Sequence, residues 1–158
     1  MKKGVKTLNL GHNDIVGKVT FGEGCIINPS CSIICEDKTK EIVFGDYNII
    51  EEKAIILVKN NSKLGDVVRI GSYNIFGIKS YVADCEIGDC NVLEPKVELK
   101  EVRLGNNNLV GAEVKVSRNT FKDNHRFFHP GKVKIIDTFM VDKHKELIRN
   151  TYMAMAER

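Results

Sequence analysis

A chain of 158 residues, 42% hydrophobic and 28% charged, is sized for a single domain with a real core. Its formal charge of +3 comes without a basic run or a basic stripe interleaved with aromatics, which argues against nucleic acid or a membrane surface as partner. No apolar run approaches the roughly 20 residues that span a bilayer, and "MKKGVKTLNLGHND" carries charges with no apolar core after them, so the expected compartment is the cytoplasm.

In chain order, Leu8, Leu10 and Val16 form a partial first turn of a repeat that then becomes regular. An aliphatic or aromatic residue followed by glycine recurs at Phe21-Gly22, Phe44-Gly45, Ile70-Gly71, Ile87-Gly88 and Leu104-Gly105. The last three pairs are 17 residues apart; the earlier intervals of 23 and 26 reduce to 17 when residues near "CEDKTK" and "KNNSKLGDV" are taken out. Both insertions fall at the same point of the cycle, as expected when loops leave from one edge of a stacked repeat. They define surface loops at 35–41 and 59–66.

Within each turn an apolar residue recurs every six: Phe21, Ile27 and Ile33; Phe44, Ile50 and Ile56; Ile70, Phe76 and Val82; Ile87, Leu93 and Leu99; Leu104, Val110 and Val116. Two residues before members of this series lies a second one, Val19, Ile42, Val68, Cys85 and Val102 on one face and Cys31, Ala54, Ser80, Val97 and Val114 on another. Two inward residues separated by one outward residue is strand periodicity. A spacing of six would instead scatter these residues around an α-helix. The predicted fold is therefore an all-β solenoid, a parallel β-helix of hexapeptide repeats with about five full coils. The glycine column, Gly22, Gly45, Gly71, Gly88 and Gly105, is expected to supply φ > 0 at one corner. A column of Asn48, Asn74, Asn91 and Asn108, with Cys25 in the first turn, is expected to form a structural amide ladder from coil to coil.

One outward column is apolar: Ile26, Ile49, Ile75, Val92 and Leu109. A contiguous exposed stripe of this kind needs a cover. Beyond Asn119 and Phe121, which begin a sixth turn read as incomplete, "KDNHRFFHPG" reads as a linker over 122–134. A C-terminal α-helix is predicted over 135–158. Ile136, Met140, Leu147, Ile148 and Met155 fall on one stripe opposite Asp142, Lys145, Glu146 and Arg149, and Asp137 or Thr138 suits the N-cap. The helix is expected to pack back along the solenoid, the apolar column being its candidate seat. The division is thus solenoid 1–121, linker 122–134 and helix 135–158.

The residues with reactive chemistry are few. Five cysteines, Cys25, Cys31, Cys35, Cys85 and Cys90, form no CxxC pair or zinc-ribbon spacing and are expected as reduced, mostly buried thiols. His12 and His144 are isolated. His125 and His129 have zinc-pair spacing but fall in the expected linker without companion cysteines.

The segments "VFGDYNIIEEKAIILVKN", "VRIGSYNIFGIKSYV" and "IGDCNVLEPKVEL" closely resemble the β-helical pointed-end subunits of dynactin, a branch of the γ-carbonic anhydrase superfamily. The likeness covers about residues 15 to 121. Its more specific element is N-[IL]-[IL]-E, with Glu51 and Glu94. The resemblance implies a left-handed coil and a noncatalytic scaffold subunit. Its implied partners are a dynactin subunit 5-like β-helical protein and the other pointed-end subunits, in the cytoplasm and on the cytoskeleton. There it would help couple the dynein motor to membranous cargo. In the superfamily's enzymes three histidines hold a metal between protomers; the matching positions here are Leu57, Ile78 and Ala83, so no metal, cofactor or catalytic residue is expected. The alternatives are a γ-carbonic-anhydrase-like homotrimer with degenerate or unconventional metal ligands, and a hexapeptide acyltransferase.

Overall fold

A computed structural model describes residues 5–128, 132–135 and 141–157. Short strands follow one another three to a coil. The first coil holds β1 (Leu8–Asn9), β2 (Asp14–Val16) and β3 (Val19–Thr20), and the second β4 (Ile26–Ile27), β5 (Ser32–Cys35) and β6 (Glu41–Phe44). The third holds β7 (Ile49–Ile50), β8 (Ile55–Val58) and β9 (Val67–Ile70), and the fourth β10 (Ile75–Phe76), β11 (Tyr81–Ala83) and β12 (Glu86–Ile87). In the fifth, after β13 (Val92–Leu93), one strand β14 (Glu98–Leu104) runs through two faces; the sixth repeats this with β15 (Leu109–Val110) and β16 (Lys115–Phe121). Then come β17 (His125–Phe128), β18 (Lys132–Ile135) and the helix α1 (Val141–Ala156).

Up to β17, strands pair in parallel with their counterparts one coil on. One face is the stack β1-β4-β7-β10-β13-β15-β17-β18. The other two, β2-β5-β8-β11-β14 and β14-β12-β9-β6-β3, share β14, with β16 beside it. The chain is a parallel β-helix carrying one C-terminal helix. Hexad residues stack inward in register, Ile50 on Phe76 on Leu93 on Val110 and Ile56 on Val82 on Leu99, and fill a continuous core. The two insertions leave between β5 and β6 and between β8 and β9. They meet where the Lys40 Nζ donates to the Leu64 carbonyl at 2.5 Å.

The corner glycines are required for a reason other than the expected one. Among glycines, positive φ is found at Gly17 and Gly24, and the φ of Gly22, Gly45, Gly71, Gly88 and Gly105 is not positive. What forbids a side chain there is the next coil: a Cβ on Gly71 would lie 2.5 Å from the Gly88 carbonyl oxygen, and one on Gly88 would lie 2.5 Å from that of Gly105. The left-handed residue sits two positions later, at Tyr47, Tyr73, Cys90, Asn107 and Asn124, with φ between 54° and 65°.

The segment expected as a linker over 122–134 instead continues the sheet. β17 pairs in parallel with β15, placing Phe127 on Val110 in the core, and β18 returns antiparallel to β17. The expected helix start at 135 is also displaced, since Lys132–Ile135 is a strand and α1 is described from Val141. Ile136, Asp137, Thr138 and Met140 lie outside the described residues, as does His129.

Candidate functional site

α1 is seated by the residues that bury. Ile148 and Tyr152 are 1% and 5% exposed and form one apolar cluster with Ile26 and Ile49. Val5, Leu8, Tyr47, Tyr73, Ile75 and Met155 complete it. Tyr47 and Tyr73 stack with ring centres 5.3 Å apart, and Tyr152 meets Tyr47 edge-on at 5.8 Å. Polar contacts fix the docking. Arg149 Nη1 donates to the Tyr73 hydroxyl at 3.1 Å, His144 Nε2 lies 2.7 Å from the Tyr73 carbonyl oxygen, and the Tyr152 hydroxyl donates to the Lys6 carbonyl. Of the outward apolar column, Ile26, Ile49 and Ile75 thus meet the helix; Val92 and Leu109 are half-buried and outside the cluster. The column ends at Arg126, the register partner of Leu109. Leu147, expected to face the solenoid, is instead 61% exposed. The packing face is centred on Ile148 and Tyr152, and a helix turning 100° per residue places Leu147 to its side.

The asparagine column sits in the core. Asn48, Asn74, Asn91 and Asn108 are all buried. Each Oδ1 accepts from the backbone N–H of the ladder residue in the next coil: Asn74 to Asn48 at 3.0 Å, Asn91 to Asn74 at 2.9 Å, Asn108 to Asn91 at 2.9 Å, and finally His125 to Asn108 at 2.8 Å. Each Nδ2 donates to the corner carbonyl of the coil beyond, Asn48 to Gly71, Asn74 to Gly88 and Asn91 to Gly105, all at 2.8 Å. At the lower end the Asn48 N–H points to Cys25 Sγ at 3.4 Å.

A second ladder, outside the core, was not read from the sequence. The residue after each corner position is a short acceptor, Asp46, Ser72, Asp89, Asn106 or Asp123, and each takes the backbone N–H of the coil before it at 2.7–2.8 Å. The signal was present: aspartate, serine and asparagine at a fixed offset from the glycine.

Leu57, Ile78 and Ala83, the positions that the resemblance set against metal ligands, hold apolar side chains. Leu57 and Ala83 are register partners on adjacent coils, Ala83 buried and Leu57 half-buried, while Ile78 is 40% exposed. They continue an outward aliphatic row, Val16, Ile34, Leu57 and Ala83, that gives way to Lys100 and Ser117. The side chains of Leu57, Ile78 and Ala83 can neither ligate a metal nor carry a proton. Histidine is placed elsewhere: His12 is exposed, His144 lies against Tyr73, and His125 sits near the rings of Phe121 and Phe127 with Nδ1 2.8 Å from the Asp123 carbonyl oxygen. Among the described residues no three histidine, cysteine, aspartate or glutamate side chains come together as a metal-binding group, and no helix is long and apolar enough to cross a membrane.

The cysteines are all free and buried. Burial pushes the Cys85 thiol up to about 12, and its Sγ lies 3.2 Å from the Ala83 carbonyl. Burial likewise raises Cys25, Cys31, Cys35 and Cys90. A nucleophile needs its thiolate, so these environments oppose cysteine chemistry. Burial also raises the Glu51 carboxyl, partly offset by a hydrogen bond from the Ile78 backbone. Glu51 and Glu94 precede Gly77 and Gly111 by one coil in the same column, and a Cβ on Gly111 would stand 3.6 Å from Glu94 Oε1.

Stacked hexads, corner glycines and an appended helix define a hexapeptide-repeat β-helix. The hexapeptide transferase family protein of Anaplasma phagocytophilum shares this fold with a TM-score of 0.60 over 98% of this chain and 97% of that one, at 11% identity. No family model matches the sequence. Among curated proteins the chain is 30% identical over 133 residues to dynactin subunit 6 of Nematostella vectensis, covering 78% of this chain and 71% of that protein. It is 34% identical over 109 residues to dynactin subunit 6 of Danio rerio, of which it spans 55%. The chain belongs to the dynactin subunit 6 family.

Proposed function

We propose that the chain is a noncatalytic scaffold subunit of the dynactin pointed-end complex, paired there with a dynactin subunit 5-like β-helical protein and supporting dynein–dynactin cargo transport. Membership in the dynactin subunit 6 family carries this reading. The aliphatic side chains of Leu57, Ile78 and Ala83 support it, because a hydrolytic metal site needs protein ligands and an open position for water. So do the buried, protonated thiols. The mechanism is rigid display. A solenoid whose coils are joined by two hydrogen-bonded ladders has little internal freedom to lose on binding, which favours association. The joined loops at 35–41 and 59–66 and the outward surfaces that α1 leaves uncovered present the contact chemistry.

Affinity purification of the tagged chain from its own cells at near-physiological salt, with mass spectrometry of what co-purifies, tests the reading. A second hexapeptide-repeat protein together with actin-related proteins and dynactin components is the expected result. A homotrimer carrying a metal, without those partners, would overturn it.

A further inference from the structure

One column of backbone N–H groups donates forward from each coil to the next: Asp14 to the Cys31 carbonyl at 2.9 Å, Ser32 to Ala54 at 3.0 Å, Ile55 to Ser80 at 2.9 Å, Tyr81 to Val97 at 2.8 Å and Glu98 to Val114 at 3.0 Å. Lys115 is next in register, and among the described residues no strand lies beyond β16 to accept from it. Bonding sides alternate along a strand, so the Ser117 N–H points the same way. Farther along, Asn119 Oδ1 takes the Thr120 N–H at 2.9 Å, which caps the edge there and leaves it open over Lys115–Arg118. At the other end of the solenoid the edge strands β2 and β3 are three and two residues long, too short to template much pairing, whereas β16 has seven.

Charge decides what the open edge admits. Lys115 and Arg118 are the charged side chains of β16, and each stands over an acid of the coil below, Lys115 Nζ 3.8 Å from Glu98 and Arg118 Nε 2.8 Å from Glu101. Arg103 stands over Glu86 in the same order, base above acid. A strand set on β16 would complete the alternation by bringing acids to Lys115 and Arg118. Beside the open stretch, Lys59, Lys63 and Lys100 line the groove that Ser117 and Arg118 close. Its acids are engaged, Asp84 by the Lys59 N–H at 2.8 Å and Glu101 by Arg118, so the groove offers net positive charge.

We infer that the open edge of β16 is a docking site for an extended, acidic segment of a partner protein, which adds to the solenoid as one further strand. The main-chain groups of Lys115 and Ser117 hold the segment, and the lysines of the groove with Arg118 select its charge. A second β16 is a poor occupant, because it would set Lys115 and Arg118 against their like. The inference rests on the end of the solenoid and does not depend on the dynactin reading.

Fluorescence anisotropy of a short labelled peptide of alternating glutamate and valine, titrated with the full chain at low salt, tests it. Saturable binding is expected, with a Kd on the order of 100 micromolar. The same peptide methylated on its backbone nitrogens should bind at least about tenfold more weakly, since charge is kept and strand pairing is blocked. Lys115→Glu should raise the Kd about fivefold, while Lys143→Glu, the same change of charge at an exposed position of α1, should leave it unaltered. Ser117→Pro removes a forward N–H that no described coil uses, so it should weaken binding and leave the melting temperature near that of the parent. Hydrogen exchange supplies a readout on the fold itself: the Lys115 and Ser117 amides should exchange freely in the chain alone and become protected by the peptide. Absence of binding would overturn the inference. So would binding that ignores backbone methylation, or that Lys143→Glu weakens as much as Lys115→Glu.

Discussion

Asn74 Oδ1 accepts two hydrogen bonds from Asn91 one coil on, from its backbone N–H at 2.9 Å and from its Nδ2 at 3.0 Å. One oxygen thereby holds both the main chain and the side chain of its neighbour, and the same pair of contacts joins Asn91 to Asn108. Asn74 is 1% exposed, so these contacts are shut off from bulk water.

Asn74→Ala should therefore leave the Asn91 N–H and the Gly88 carbonyl without a partner inside the core. At roughly 1–3 kcal/mol for each unsatisfied buried group, the expected loss is about 3–5 kcal/mol. Urea denaturation of the variant against the parent measures it; a loss below about 1 kcal/mol would mean that the ladder is not structural.

Gly88→Ala and Gly65→Ala form a matched pair. The first puts a Cβ 2.5 Å from the Gly105 carbonyl oxygen, and the second meets nothing within 4 Å. Gly88→Ala should destabilise by about 2 kcal/mol or more, through displacement of a coil. Gly65→Ala should be neutral or stabilise by up to about 1 kcal/mol, by restricting the unfolded chain. Equal effects in thermal denaturation would contradict the steric account of the corner.

Ser80 is a core residue whose hydroxyl has no hydrogen-bond partner. It occupies the inward column of Ala54 and Val97, so Ser80→Ala should raise stability by about 1 kcal/mol, removing a desolvated hydroxyl with almost no change in volume. A destabilised variant would show that the hydroxyl is paired in solution.

The Cys85 thiol gives the fold an alkaline limit. Its ordinary value of 9.0 is raised by burial to about 12, so the native state holds the proton where the unfolded chain releases it. Its contribution is complete below pH 9 and is lost as pH rises from 9 to 12; that gap corresponds to roughly 4 kcal/mol. Cys85→Ala should flatten the stability profile over this window. In the folded parent, iodoacetamide should label Cys85 only at the rate of unfolding.

Coil architecture was legible because every turn spends residues on it: the hexad series and the glycine column survive two insertions. The role of the glycines was not, because the left-handed conformation falls on Tyr47, Tyr73 and Cys90, side chains that do not announce a turn. The last coil was hidden by two replacements, Lys122 where glycine recurs and His125 where asparagine recurs, although Val110 and Phe127 keep the 17-residue interval and stack in register. The tail was read as a helix, and of the column expected to seat it, Ile26, Ile49, Ile75, Val92 and Leu109, the first three share its apolar cluster. Its rotation was not legible, since a helical wheel gives relative angles and leaves open which residue points at the sheet. Tyr152 decides that by reaching Tyr47 and the Lys6 carbonyl. At the site, the absence of ligating side chains at Leu57, Ile78 and Ala83 was readable directly, whereas the outer ladder of Asp46, Ser72, Asp89, Asn106 and Asp123 becomes visible only once coils are stacked.

The central claim is that this solenoid is one half of a β-helical pair in dynactin. Co-expression with dynactin subunit 5 from the same organism, followed by size-exclusion chromatography with light scattering, addresses it most directly. The expected result is a stable one-to-one heterodimer that forms equally well with and without added zinc. Failure of the two chains to associate, with this chain instead forming a zinc-loaded homotrimer, would contradict it.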